Sequence, residues 1–193
     1  MVCLKKSKIR ELTDETTLVH QLQNPQFKEQ AFRVLVHEYK ERLYWHIRKI
    51  VISHDDTDDV LQNTFIKVFR GINQFKGDSK LYSWMYRIAT NEAITFINKR
   101  AKERKVDITE IKQDLVTSLS SDDWFSGDDI QFILQQAIAR LHQKQQLVFN
   151  MKYFDHLKYD EISDILGTSV GALKASYFHA VKKIEMYVKS KSD

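Results

Sequence analysis

Apolar residues recur every three or four positions along most of this chain, the spacing of helices that bury one face. Phe32, Leu35, Val36, Tyr39, Leu43, Ile47 and Ile50 form one such stripe, predicting a helix of about 20 residues. Ahead of it, Glu11 to Gln23 reads as a short helix ended by Asn24 and Pro25. His54, Asp55, Asp56 and Thr57 interrupt the long stripe and offer N-caps for the next helix. Asp58 and Asp59 then fall in its first turn, where negative charge favours the dipole. Leu61, Phe65, Val68 and Phe69 continue its buried face until Gly71. A polar turn, Phe75 to Ser79, precedes a long helix from Leu81 to Lys102 that starts apolar (Leu81, Trp84, Met85, Ile88) and ends basic.

The pattern is sharpest near the C-terminus. Ile130 to Leu141 and Gln145 to Tyr153 predict two amphipathic helices. Tyr159 to Leu166 predicts a third, with Ile162, Ile165 and Leu166 inward, stopped by Gly167. Thr168 and Ser169 can cap a fourth, in which Val170, Leu173, Tyr177, Ala180 or Val181, and Ile184 repeat at helical spacing. Two helices joined by a short glycine-containing turn make a helix-turn-helix. Between the two patterned regions, residues 107–129 mix Ser, Thr, Asp and Gly without sustained periodicity.

Composition narrows the fold class. Five Gly and one Pro leave few turn residues for a multi-stranded β fold, while 42% hydrophobic content supports a real core. The expectation is all-α: helical domains at 1–106 and 130–193, joined by a flexible linker at 107–129. A single cysteine, Cys3, excludes an internal disulfide framework and a cysteine zinc site. No apolar run approaches the ~20 residues of a membrane span, and no signal-peptide core is visible, so a soluble, cytoplasmic protein is expected. The net charge of +4 hides an asymmetry. Residues 1–106 carry +7, the linker −6 and residues 130–193 +3. Two basic modules therefore flank an acidic strap.

Candidate chemistry follows from these elements. The last helix leaves Ala172, Ala175, Ser176, His179 and Lys183 facing outward. Small side chains allow close approach to base edges, Ser176 and His179 can hydrogen-bond there, and alanine methyls suit thymine. Lys174, Lys182 and Lys183 suit phosphate contacts. The plainer reading is a helical hairpin with a solvated basic face. Near the Gly77-Asp78-Ser79 turn, Phe75, Tyr82, Trp84 and Tyr86 could hold an unstacked base beside the basic helix end, although Trp84 is spaced as core. The Asp55–Asp59 cluster lacks the alternating ligands, central Gly and closing Glu of an EF-hand. His54 and Asp55 lack companion ligands at metal-binding spacing, and no phosphate-cradling glycine loop exists. No catalytic residue, metal or cofactor is expected.

Asp56 to Phe69, Phe75 to Asn91 and Tyr159 to Lys174, in that order along the chain, resemble the extracytoplasmic-function (ECF) group of RNA polymerase sigma factors. Asp56 to Phe69 resembles region 2.2, Phe75 to Asn91 region 2.3, and Tyr159 to Lys174 region 4.2. The resemblance implies a transcription initiation factor acting with core RNA polymerase. Docking on the β′ clamp helices would fall to Asp58, Asp59, Gln62, Asn63 and Phe65; many members carry Glu where Asn63 stands. Capture of a flipped −10 base would fall to Phe75, Gly77, Asp78, Ser79, Lys80 and Asn91, with Lys99 and Arg100 on the backbone. The −35 duplex would meet Ala172, Lys174, Ala175, Ser176, His179, Lys182 and Lys183. Ser176 replaces an Arg found in many members, so their −35 preference does not transfer. Further implied partners are the polymerase β flap and an anti-sigma factor. The linker would lie in the RNA-exit path, making Asp122, Asp123, Asp128 and Asp129 determinants of abortive product yield. Two other readings stay open: a stand-alone helix-turn-helix repressor, which would bind an operator unaided, and a hydrolase built on His54 and Asp55.

Overall fold

The computed structural model describes residues 15–118 and 129–192. Among them every regular element is helical: α1 (Glu15–Gln23), α2 (Lys28–Val51), α3 (His54–Gly71), a 3-10 turn (Ile72–Gln74), α4 (Leu81–Arg104), α5 (Ile108–Ser118), α6 (Asp129–Ala139), α7 (Gln143–Tyr153), α8 (Tyr159–Leu166) and α9 (Val170–Ser192). Helices α2, α3 and α4 pack on one another, and α1 lies against α2 and the 3-10 turn. Leu35, Leu43, Ile47, Val68, Leu81, Met85 and Ala89 are wholly withdrawn from water. Each large aliphatic among them contributes roughly 1.5–3 kcal/mol.

The start of α3 differs from the expectation. Ser53 is the cap: its Oγ accepts from the Asp56 N–H at 3.4 Å, while the Thr57 hydroxyl donates to the Ser53 carbonyl at 2.6 Å. Asp55 and Asp56 occupy the first turn. Asp58 and Asp59 therefore sit one turn further on, where the dipole's help has faded. The reversal before α3 takes Ile52 to φ 70°, a costly conformation for a β-branched residue. Its side chain is buried with Val116 and Ala139, which holds the strained backbone in place.

The span 107–129 also differs from an unpatterned linker. Residues 108–118 form helix α5, with Ile111, Lys112 and Val116 buried and its faces against α4 and α6. Asp122, Asp123 and Asp128 lie outside the described residues, and Asp129 opens α6.

The C-terminal unit is a helix-turn-helix. Gly167 ends α8 at φ 62°, ψ 33°, its N–H reaching the Ser163 carbonyl at 2.8 Å. A left-handed residue there suits glycine, which lacks the Cβ that makes this region costly. Ser169 then starts α9: its carbonyl accepts from the Leu173 N–H at 3.0 Å and its Oγ lies 3.5 Å from the Ala172 nitrogen. Leu173, Ala180 and Ile184 form the buried stripe of α9.

The two units touch. Helix α8 lies on α4 and α7 on α2. Leu147, Val148, Met151, Leu157, Ile162 and Ile165 join the same buried cluster as Leu35, Met85 and Ala89. This is why α4 buries residues on two sides, with Met85 and Ala89 on one and Tyr86 and Thr90 on the other.

Candidate protein and nucleic-acid interfaces

Helix α3 presents an acidic and polar face. Asp58, Asp59, Gln62 and Asn63 are exposed, and Asp58 Oδ2 lies 3.5 Å from His54 Nδ1. Phe65 is not part of that face. It falls on the buried stripe with Leu61 and Val68 and meets Phe32 edge-on at 6.2 Å. The apolar residue actually presented is Ile66, 41% exposed. Asp59, Gln62, Asn63 and Ile66 sit at i, i+3, i+4 and i+7, one ridge of the helix. Sequence reasoning missed Ile66, although its offset by one from the Phe65 stripe was visible.

The turn before α4 is built from below. Phe75 is buried against Trp84, their rings 5.3 Å apart, so it supports the turn and does not present an aromatic face to solvent. The Gln23 amide of α1 donates to the carbonyls of Ile72 at 3.1 Å and Phe75 at 2.9 Å, fixing the approach. Gly77 adopts φ 80° with open space around it, and Lys76, Gly77 and Asp78 are exposed. Ser79 is half-buried. Lys80 is exposed, with its ammonium 3.1 Å from Glu161 Oε1 of α8. Further along α4, Asn91 and Lys99 face solvent, while Arg100 is half-buried and paired with Asp56 of α3.

Helix α9 contrasts with α3. Ala172, Lys174, Ala175, His179, Lys182 and Lys183 are exposed, and Ser176 is half-buried. Lys183 reaches Gln145 Oε1 at 3.0 Å. The structure adds Phe178, 54% exposed, with the Lys182 ammonium 4.5 Å from its ring centroid. Phe178 lies four residues from both Lys174 and Lys182, so it shares their outward ridge. Its apolar character alone had suggested nothing.

Asp155, Glu161 and Lys112 are among the ionisable groups displaced from their ordinary values. Burial would raise the Asp155 carboxyl, but bonds from His46 and Lys49 outweigh it and hold the group low. Burial likewise opposes ionisation of Glu161, yet donors from Tyr82, the Lys158 N–H and Lys80 bring it down to about 2. Burial lowers Lys112 to about 8, offset only in part by Asp107, and its ammonium donates to Gln146. Among the described residues no group of three or more His, Cys, Asp or Glu is placed to hold a metal ion. No described helix is long and apolar enough to cross a membrane.

Comparison with known proteins matches this architecture. Residues 35–103 match the Sigma-70 region 2 family and residues 131–184 the Sigma-70, region 4 family. The ECF RNA polymerase sigma-E factor of Escherichia coli (strain K12) is 29% identical over 183 residues, covering 91% of this chain and 94% of that protein. The sigma-E factor of Haemophilus influenzae is 29% identical over 185 residues, covering 91% and 95%. Among solved structures, CnrH in complex with the cytosolic domain of CnrY superposes with a TM-score of 0.65 at 21% identity, covering 90% of this chain and 96% of that one. The sigma factor RpoE in complex with the anti-sigma factor NepR from Bartonella quintana gives 0.63 at 20%, covering 82% and 96%.

A helical region 2 unit followed by a helix-turn-helix region 4 unit is the architecture of a sigma-type initiation factor. Within that class the chain belongs to the ECF group of the sigma-70 family, whose members act with core RNA polymerase on promoter DNA.

Proposed function

We propose that the work is divided between the two units as follows: residues 1–106 bind core polymerase and the −10 element, and residues 130–193 bind the −35 element. The observation that carries this is the opposed chemistry of α3 and α9. A face of Asp58, Asp59, Gln62, Asn63 and Ile66 is repelled by phosphates and suits a protein groove, here the β′ clamp helices. A face of Ala175, His179, Phe178, Lys174 and Lys182 suits a duplex major groove. Phe65 and Phe75 serve as supports for these surfaces and not as contacts.

The turn at Gly77, Asp78 and Ser79, with Lys80 and Asn91, is the capture site for a flipped −10 base, and Lys99 holds the strand backbone. Unstacking costs a few kcal/mol per step, so strand opening needs an ordered receiving site as well as charge. The Gln23 and Trp84 supports under the turn supply that order. The protein has no catalytic residue of its own: it directs the polymerase. Its place is the cytoplasm, where core polymerase and promoter DNA are. The RpoE relative has a structure with an anti-sigma factor, and the same kind of partner is proposed here. The β flap is the polymerase element assigned to the C-terminal unit.

Run-off transcription with purified core polymerase and a promoter library tests this. Promoter-selective starts that appear only with both proteins are expected. Sequence-specific binding of an unmelted operator by the free chain, without such starts, would favour a repressor instead.

A further inference from the structure

The turn between the 3-10 element and α4 is polar, and its tip at Lys76, Gly77 and Asp78 is exposed. Such a segment samples many conformations unless its ends are tied. Here one helix ties both ends. At the C-terminal end of α1, the single Gln23 amide donates to the carbonyls of Ile72 at 3.1 Å and Phe75 at 2.9 Å. At the N-terminal end of α1, Glu15 Oε1 accepts from the Leu81 N–H at 2.8 Å. That N–H opens α4, and Lys80 at the N-cap makes no side-chain bond to the first turn. A helix start leaves N–H groups without intrahelical partners, and a carboxylate placed there also suits the dipole. Glu15 is thus a cap for α4 supplied from another helix.

Helix α1 is itself well anchored. Leu18 and Leu22 are buried in the same cluster as Leu35 and Leu81. The Asn24 carbonyl accepts from the Phe27 N–H at 3.1 Å and the Lys28 N–H at 2.9 Å, a tight return into α2. Nine helical residues make a rod of roughly 13 Å at ~1.5 Å each. A rod of fixed length, held at both ends of the turn, limits how far Phe75 and Leu81 can move apart. Glu15 and Gln23 both lie before residue 35, where the match to the Sigma-70 region 2 family begins.

A loop that must be ordered on binding loses affinity to the entropy of ordering, whereas a loop ordered beforehand does not. Order also sharpens choice. A fixed site leaves groups unpaired when the wrong base enters, and a loose one re-packs around it.

We propose that α1 is a splint for the base-capture turn, with Glu15 and Gln23 as positioning residues that set how strongly one −10 base is preferred over the others. The proposal rests on the assignment of that turn to a flipped −10 base. Neither residue touches the base: both act through the backbone at positions 72, 75 and 81.

Two measurements test it, hydrogen exchange on the free full-length chain and run-off by the reconstituted holoenzyme. Glu15→Ala removes the cap. Gln23→Met keeps the packing and removes both donated bonds. Each should speed amide exchange in a peptide spanning residues 75–82 about tenfold and leave α2 peptides unchanged. The run-off probe is a promoter that the wild type uses, with each −10 base replaced in turn. Where the wild type prefers one base, each variant should cut that preference about fivefold, the size of one net hydrogen bond, while core-polymerase affinity stays within twofold. Glu15→Gln keeps an oxygen facing the Leu81 N–H and should retain the wild-type preference. Unchanged exchange overturns the splint, and so does faster exchange with the base preference intact. An equal loss of core affinity also overturns it, because α1 would then support the whole unit and not the turn. Faster exchange in the variants alongside a wild type that shows no −10 preference overturns the assignment of the turn, and with it the role given to α1, while the hold of α1 on the turn stands.

Discussion

Helices α3 and α9 are of similar build, each burying one stripe and exposing the other, yet their exposed faces have opposite chemistry. On α3 the N-terminal half of the exposed face carries Asp55, Asp58 and Asp59 ahead of one large apolar residue, Ile66, and the cations come only after it, Lys67 paired with Glu92 and Arg70 in the last turn. On α9 it carries Lys174, Lys182 and Lys183 around Phe178, with small residues near its N-terminal end. The net charge of the chain does not separate these roles; the charge of each face does. A partner whose surface is uniformly negative is repelled by the N-terminal half of α3 and attracted to α9.

The sharpest way to break this contrast is to make α3 resemble α9. Ile66→Arg puts a cation at the centre of the proposed polymerase face. It should lower core-polymerase affinity by 30-fold or more, about 2 kcal/mol as for a central interface anchor. Fluorescence anisotropy with labelled protein reads this. Binding of a −35 duplex by the C-terminal face should be unchanged, and an equal loss in both assays would refute the division.

The next effect concerns Lys112, buried on α5, which lies between α3 and α9 in the chain. Its ammonium is held at about 8 in the folded state against an ordinary 10.5, so above pH 8 the folded chain releases a proton that the unfolded chain keeps. Stability should therefore rise between pH 8 and pH 10, by about 2–3 kcal/mol at 1.36 kcal/mol per unit. Urea melts at the two pH values check this. Lys112→Met should abolish the rise. A wild type whose stability is flat across that window, or falls, would show that the ammonium is not buried as described.

Gly167→Ala sharpens the α9 side. Nothing crowds the new Cβ, so the cost is that of forcing a side chain into φ 62°, about 1 kcal/mol. A thermal melt should move down accordingly, while core-polymerase affinity stays the same. The smallest effect is expected from Lys182→Ala, which removes one phosphate contact from the α9 ridge. Binding to −35 duplexes should weaken several-fold irrespective of sequence, with the salt slope falling by about 1. A change in base preference instead would place Lys182 at a base edge.

Much of the fold could be read in advance where burial follows a clean helical repeat. Helices α2, α8 and α9 announce themselves through Leu35/Leu43/Ile50, Ile162/Ile165 and Leu173/Ala180/Ile184. Helix α5 did not, because one of its three buried positions is Lys112, and a charge at a core position breaks the apolar pattern. Phe65 and Phe75 were assigned to surfaces by family resemblance. The spacing of Phe65 with Leu61 and Val68 put it in the core, where the periodicity was the better guide, whereas Phe75 stands in a turn with no repeat to place it. The Ser53 cap was obscured by a run of equally capable neighbours, His54 to Thr57. The pairing of Asp155 with His46 joins positions more than a hundred residues apart, and no local pattern encodes such a contact.

Helix α5 also sets how far the segment joining the two units can reach. A segment of 11 helical residues is a rod of roughly 16 Å, where the same residues extended would reach more than twice as far. With α5 intact, the strap has a shorter leash, and each added base pair between the two promoter elements draws on a fixed reserve. Such a tether makes the protein a ruler as well as a reader: long-spaced promoters should be rejected by geometry before any base is recognised.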